Sequence, residues 1–88
     1  MPMRTISERA AASGGARAVL RDPARLVAAR RAAHLSQASL ADATGCHKSL
    51  IGHLEVGRVD SVYVVLADAI AAAVHTPAAD LFTTGSNQ

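Results

Sequence analysis

Apolar residues return every three or four positions through most of the chain, and the breaks between blocks carry helix-start or helix-stop residues. Asp22-Pro23 opens the clearest block, an acid that can cap and a proline suited to the first helical position. The helix it predicts runs to Ala33, with Leu26, Val27, Ala29 and Ala33 facing inward. Leu35 leads into a second helix capped by Ser36, with Leu40, Ala41 and Ala43 inward. Gly45 ends it where a left-handed residue costs least. After Cys46-His47, Leu50, Ile51 and Leu54 mark a third helix closed by Gly57. A fourth, capped by Asp60 or Ser61, covers 62–74, with Val62, Val65, Leu66, Ala69, Ile70 and Ala73 as one stripe. It is apolar nearly all round, as a helix at the centre of a core is. Thr76-Pro77 repeats the cap-then-proline signal and starts a last turn carrying Leu81 and Phe82. No period-two alternation competes, so the pattern predicts an all-α domain of five short helices.

The flanks are less regular. Residues 1–21 predict an N-terminal arm in which Thr5 can cap a short extra helix ending before Ser13-Gly14-Gly15. Arg17 to Leu20 is either one more turn or a lead into the next element. The domain proper is expected over 22–82, with 83–88 as a polar tail.

Composition narrows the core and the partners. Half of the 88 residues are apolar, yet there is one Tyr, one Phe and no Trp. The core must therefore come from Ala, Leu, Val and Ile in close-packed helices, in a domain small enough to be marginal alone. A single Cys rules out an intrachain disulfide and fits a reducing cytoplasm. The longest apolar runs are split by Asp68 and too short to span a bilayer, and with Arg4, Glu8 and Arg9 and no apolar h-region, no signal peptide is expected. The net charge of +2 conceals an asymmetry. Residues 1–31 hold seven Arg against Glu8 and Asp22, whereas residues 32–88 hold Lys48 and Arg58 against five acids. A basic third beside an acidic remainder suggests a side that faces a polyanion, although arginines on a solvated helix surface give the same count.

Residues 36–57, SQASLADATGCHKSLIGHLEVG, carry the chemistry. Two helices of about two turns, joined by so tight a turn, are unstable alone and make sense as a helix-turn-helix offering its second member to a DNA major groove. Gln37 lies in the first turn of the earlier helix, where its amide and the helix N-terminus can meet a phosphate. Lys48 and Ser49 open the later helix, where a lysine can donate to guanine O6 or N7 and a serine can pair with several bases. His53 shares the face of Ser49 and can reach a base or a phosphate. Gly52 removes a side chain from the middle of the helix. Close approach of DNA and tight helix–helix contact both account for it.

The stretch LVAARRAAHLSQASLADATGCHKSLIGHLEVG resembles the lambda-repressor/Cro type of helix-turn-helix domain. Leu35-Ser36-Gln37, Leu40-Ala41, Gly45 and Leu54-Glu55-Val56-Gly57 carry the likeness, and LADAIAAAV with Pro77 and Leu81-Phe82 extends it to residues 25–82. The resemblance implies a five-helix DNA-binding domain, a phosphate contact from Gln37, and pairing of Arg30 with Glu55 to brace the recognition helix. Two positions depart from the family. His47 stands where it usually has a Ser or Thr cap, which costs the cap about 1 kcal/mol and leaves an imidazole pointing toward DNA. The loop from Arg58 to Ser61 is short and lacks the usual Pro, which shifts where Arg58 can meet a phosphate.

These residues imply a sequence-specific double-stranded DNA-binding regulator, and the small size fits a phage Cro-like or immunity-type repressor acting by occupying an operator. The family commonly works as a homodimer on two half-sites. Dimerisation through the arm, or minor-groove and phosphate contacts from Arg4, Arg9, Arg17 and Arg21, are both open. The alternative is an antitoxin or helical adaptor whose main partner is a protein. Four His and one Cys show no zinc spacing, and no paired carboxylates, phosphate loop or activated nucleophile supports catalysis. No cofactor or small-molecule substrate is expected. Cys46 is read as a small buried hydrophobe.

Overall fold

The computed structural model describes residues 16–84, so the arm helix expected after Thr5, and Arg4 and Arg9, lie outside the described residues. Strand β1 (Arg17–Leu20) precedes helices α1 (Pro23–Ala32), α2 (Gln37–Thr44) and α3 (Lys48–Glu55). Strand β2 (Ser61–Tyr63), α4 (Val64–Ala73), α5 (Ala78–Leu81) and β3 (Phe82–Thr84) complete the order.

The helices of the centre start and stop for local reasons. The Asp22 carboxylate accepts from the Ala24 N–H at 3.0 Å, and Pro23 begins α1. The Ser36 hydroxyl accepts from the Ser39 N–H at 2.9 Å. Gly45, at φ 74°, ends α2 with its N–H donated to the Ala41 carbonyl. Within α2 the inward positions are Leu40, Ala41 and Thr44; Ala43 is exposed, contrary to expectation. Thr44 is tolerated inside because its hydroxyl donates back to the Leu40 carbonyl at 2.8 Å. Two histidines adopt left-handed backbone at helix ends, His34 at φ 59° after α1 and His75 at φ 54° after α4. Glycine is the cheaper choice at such positions.

The chain is not all-α. Three antiparallel strands form a sheet in the order β2-β1-β3. β1 pairs Arg17 with Tyr63 and Val19 with Ser61 on one side, and Val19 with Thr83 and Leu20 with Phe82 on the other. The central strand thus comes from the segment read as an arm, and Thr83 and Thr84 come from the segment read as a tail. Ala18 and Leu20 are buried while Arg17 and Val19 face out, so the alternation exists but spans only four residues. Each strand has no ladder partner nearby in sequence, and only the fold supplies one.

β2 also displaces the start of α4 from Val62 to Val64, with Tyr63 at the cap position. The buried face of α4 is therefore Leu66, Ala67, Ile70 and Ala71, rotated from the expected stripe. Leu26, Leu40, Ile51, Leu54, Ile70 and Leu81 are fully buried and tie the helices into one core, with Ala18, Leu20, Val62 and Phe82 from the sheet.

Arginines of the basic N-terminal third fasten these layers. Arg17 Nη2 donates to the Ser61 carbonyl at 2.9 Å and its guanidinium lies 4.8 Å over the Tyr63 ring. Arg21 Nε donates to the Ala79 carbonyl at 2.7 Å, and Arg25 Nη1 to the Asp80 carbonyl at 3.1 Å, securing α5. Arg17 and Arg21, open as DNA contacts from sequence, are engaged in holding the sheet and the last helix. No helix among the described residues is long and apolar enough to cross a membrane.

Candidate nucleic-acid interface

α2 and α3 meet across the turn at Gly45-Cys46-His47, and α3 presents two different edges. Its inner edge carries Ile51 and Leu54, both without solvent exposure. The turn is sealed by Cys46, half-buried, whose sulfur lies 3.3 Å from the Thr44 hydroxyl. Burial pushes the Cys46 thiol above its ordinary range, more than the Thr44 hydrogen bond lowers it, so the sulfur stays protonated and packs as a small apolar group.

Glu55 ends α3 in a polar junction between three helices. Arg30 from α1 donates to both of its carboxylate oxygens, Nε to Oε2 at 2.6 Å and Nη2 to Oε1 at 3.1 Å. The remaining Nη1 donates to the Leu35 carbonyl at 2.8 Å, at the entry to α2. Gln37 of α2 completes the group, its Nε2 donating to Glu55 Oε1 at 2.9 Å. The Arg30 and Glu55 side chains keep only 12% and 5% of their surface in contact with solvent. A bidentate pair at this burial fixes geometry and leaves a costly orphan if either partner is removed. Burial pushes the Glu55 carboxyl up, but the hydrogen bonds from Arg30 and Gln37 and the charges of Arg30 and Arg31 outweigh it. The carboxyl therefore sits below its usual range. The hydrogen bond to Glu55 likewise raises Arg30, against its own desolvation.

The outer edge of α3 is different in every respect. His47, Lys48, Ser49 and His53 are exposed, and Arg58 lies exposed just beyond the helix. His47 occupies the cap position with extended backbone but makes no side-chain capping bond. Ser49, Gly52, His53 and Val56 follow one another at the spacing of a single helix face. Among the described residues the only ion pair is Arg30–Glu55, so Lys48 and Arg58 carry charges committed to none of them. The exposed residues of α3 and its two ends thus include two cations, a hydroxyl and imidazoles, with no free carboxylate from α3. It suits a polyanion.

Of the nine residues singled out from sequence, Arg30, Glu55 and Gln37 meet in the junction, His47, Lys48, Ser49, His53 and Arg58 are exposed, and Gly52 is half-buried. Gln37, expected as a phosphate contact, also donates one amide hydrogen to Glu55. Gly52 is also clarified. A Cβ built there meets one described atom within 4 Å, Gln37 Oε1 at 3.8 Å, an ordinary van der Waals distance. Helix packing does not require this glycine, which in mid-helix costs about 1 kcal/mol relative to Ala. Val56, missed from sequence as one more apolar residue, is 70% exposed at the end of the outer face. An exposed valine there can meet the methyl group of a thymine. Its signal was its spacing from Ser49 and Gly52. Among the described residues, no three His, Cys, Asp or Glu side chains gather where they could hold a metal.

Comparison with known families gives a match to a helix-turn-helix domain over residues 24–81. The chain belongs to the helix-turn-helix domain family. That match spans α1 to α5 and includes every residue of the Arg30–Glu55–Gln37 junction and of the outer face of α3. Such a domain suggests a DNA-binding regulator. No curated protein is similar enough to the chain to count as a match.

Proposed function

We propose that this helix-turn-helix protein is a sequence-specific double-stranded DNA-binding regulator, a small phage Cro-like or immunity-type repressor that acts by occupying an operator. One observation supports it above the others: α3 is braced from within by Arg30, Glu55 and Gln37 while its exposed edge carries Lys48, Ser49 and His53. A recognition helix needs this combination, because base edges are read only by side chains whose backbone is held in register. Lys48 at the N-terminal end is the candidate guanine donor, with Ser49 and His53 as neighbouring base contacts and His47 and Arg58 toward the phosphates. Repression by occupancy asks for no catalysis, cofactor or metal. Binding as a homodimer in the cytoplasm of a bacterial or phage-infected cell, on two half-sites about one turn apart, completes the proposal.

Footprinting the purified chain on DNA flanking its own gene tests this. A protected palindrome, weakening steeply as salt rises, is expected from a protein that displaces counterions. Absence of any footprint at low salt overturns it. A protein-binding adaptor or antitoxin is the second reading, and it draws on a mostly apolar groove of about 380 Å³ between the sheet and α4–α5, lined by Val64, Ala67, Ala78 and Phe82 among others. A stable complex with a protein, beside salt-insensitive or absent DNA binding, would favour it.

A further inference from the structure

Gln37 sits between two groups that together fix which way its amide faces. Glu55 is a carboxylate held by Arg30, so it can only accept hydrogen bonds, and the Gln37 NH₂ must be the end turned toward it. The amide oxygen must then point the other way. It does so toward Gly52, where a side-chain carbon would stand 3.8 Å from it. Both residues are half-buried, and Gly52 shares its helix face with the exposed Ser49, His53 and Val56. An acceptor of fixed direction thus lies beside a helix position that carries no side chain.

We infer that Gln37 is a base-reading residue, its Oε1 accepting the exocyclic amino group of an adenine or a cytosine through the opening left by Gly52. The inference rests on the DNA-binding reading above and names one contact within it. Phosphates offer only acceptors, so an amide oxygen aimed at the ligand cannot serve them. In the major groove the exposed base donors are adenine N6 and cytosine N4, and these match an oxygen. The second hydrogen of the Gln37 amide stays free for a phosphate, so the two roles are separable by experiment. Gly52 gains a reason as well. The fold has room for a Cβ there, and that Cβ would stand directly beside Oε1, so on this inference it would crowd a base that approaches the oxygen.

The test is selection of binding sites from a random duplex library by the full chain and by the Gln37→Ala and Gly52→Ala variants, with unfolding midpoints measured alongside. The wild type should enrich adenine or cytosine at one fixed position of its site. Both variants should lose about tenfold of that preference, the worth of one groove hydrogen bond, and Gly52→Ala, which leaves the brace intact, should lose it at that position alone. Gly52→Ala should meanwhile raise the unfolding midpoint by about 4 °C, because alanine is the better helix former. Should Gln37→Ala fail to fold, the Gly52→Ala selection decides the matter alone. Variants that select the same sequences with uniformly weaker binding would overturn the inference and return Gln37 to a phosphate contact, leaving DNA binding intact. A fall in the midpoint of Gly52→Ala would also overturn it, by making the glycine structural. A wild type that enriches no sequence and binds duplex independently of salt would remove the DNA-binding reading, and this contact with it.

Discussion

The two edges of α3 are built from the same eight residues and obey opposite rules. On the inner edge Ile51, Leu54 and Glu55 are withdrawn from water, and each has a fixed partner in α1, α2 or the core. On the outer edge Lys48, Ser49 and His53 remain in water, and the helix is not even capped by its own His47. The difference teaches how so small a domain can present a precise surface. Rigidity is supplied from behind by one bidentate ion pair, so the side chains in front are free to serve a ligand instead of the fold.

The sharpest way to break this contrast is to remove Glu55. Glu55→Ala leaves Arg30 nearly buried without its partner and should cost about 3 kcal/mol, read as a lower urea midpoint. A loss below about 0.5 kcal/mol would mean that the inner edge is no brace at all.

Acid attacks the same junction without mutation. The Glu55 carboxyl lies below its ordinary range in the folded protein, so its contribution is fully present above about pH 4.3 and is lost as pH falls through the lowered folded value. Thermal midpoints should therefore drop on acidification in the wild type, and more steeply than in Glu55→Gln, which cannot titrate there. Parallel acid profiles for the two proteins would assign the loss to other carboxylates.

A smaller effect of opposite sign is expected at the cap. His47→Ser gives α3 the hydroxyl acceptor it lacks and should stabilise the protein by about 1 kcal/mol in chemical unfolding. If DNA affinity falls at the same time, the imidazole belongs to the outer edge as a contact. Smallest of all, Lys48→Ala should alter stability by less than about 0.5 kcal/mol, as an exposed side chain does. It should nevertheless weaken duplex binding by about 1–3 kcal/mol and relax the preference for guanine at one position of the site. Marked destabilisation by Lys48→Ala would erase the distinction between the edges.

Much of this frame was legible in order along the chain. Asp22-Pro23, Ser36 and Gly45 specify helix ends through contacts with residues at most four positions away, and they act where the sequence places them. The strands were not legible because their evidence is not local. Arg17-Ala18-Val19-Leu20 alternates correctly, but four residues containing Ala and Arg carry too little contrast to outweigh helical neighbours. Its partners lie more than forty residues away. The missed sheet then moved the start of α4 and rotated its buried face.

At the interface the same division holds. The sequence could propose Lys48, Ser49 and His53, since a helix face follows from spacing alone. It could not show that Gln37 gives its nitrogen to Glu55, or that Gly52 is free of packing demands, because both depend on how α2 lies across α3.

By itself, then, the sequence determined the helix-turn-helix, the ends of its first helix at Ser36 and Gly45, and most of its solvent-facing residues, Ala43 and Val56 excepted, all set by neighbours within a turn or two. Only the tertiary structure decided the sheet, the arginines spent on holding it, and the direction of the Gln37 amide. These depend on groups brought together from distant parts of the chain, where a buried donor must find an acceptor that no local pattern names.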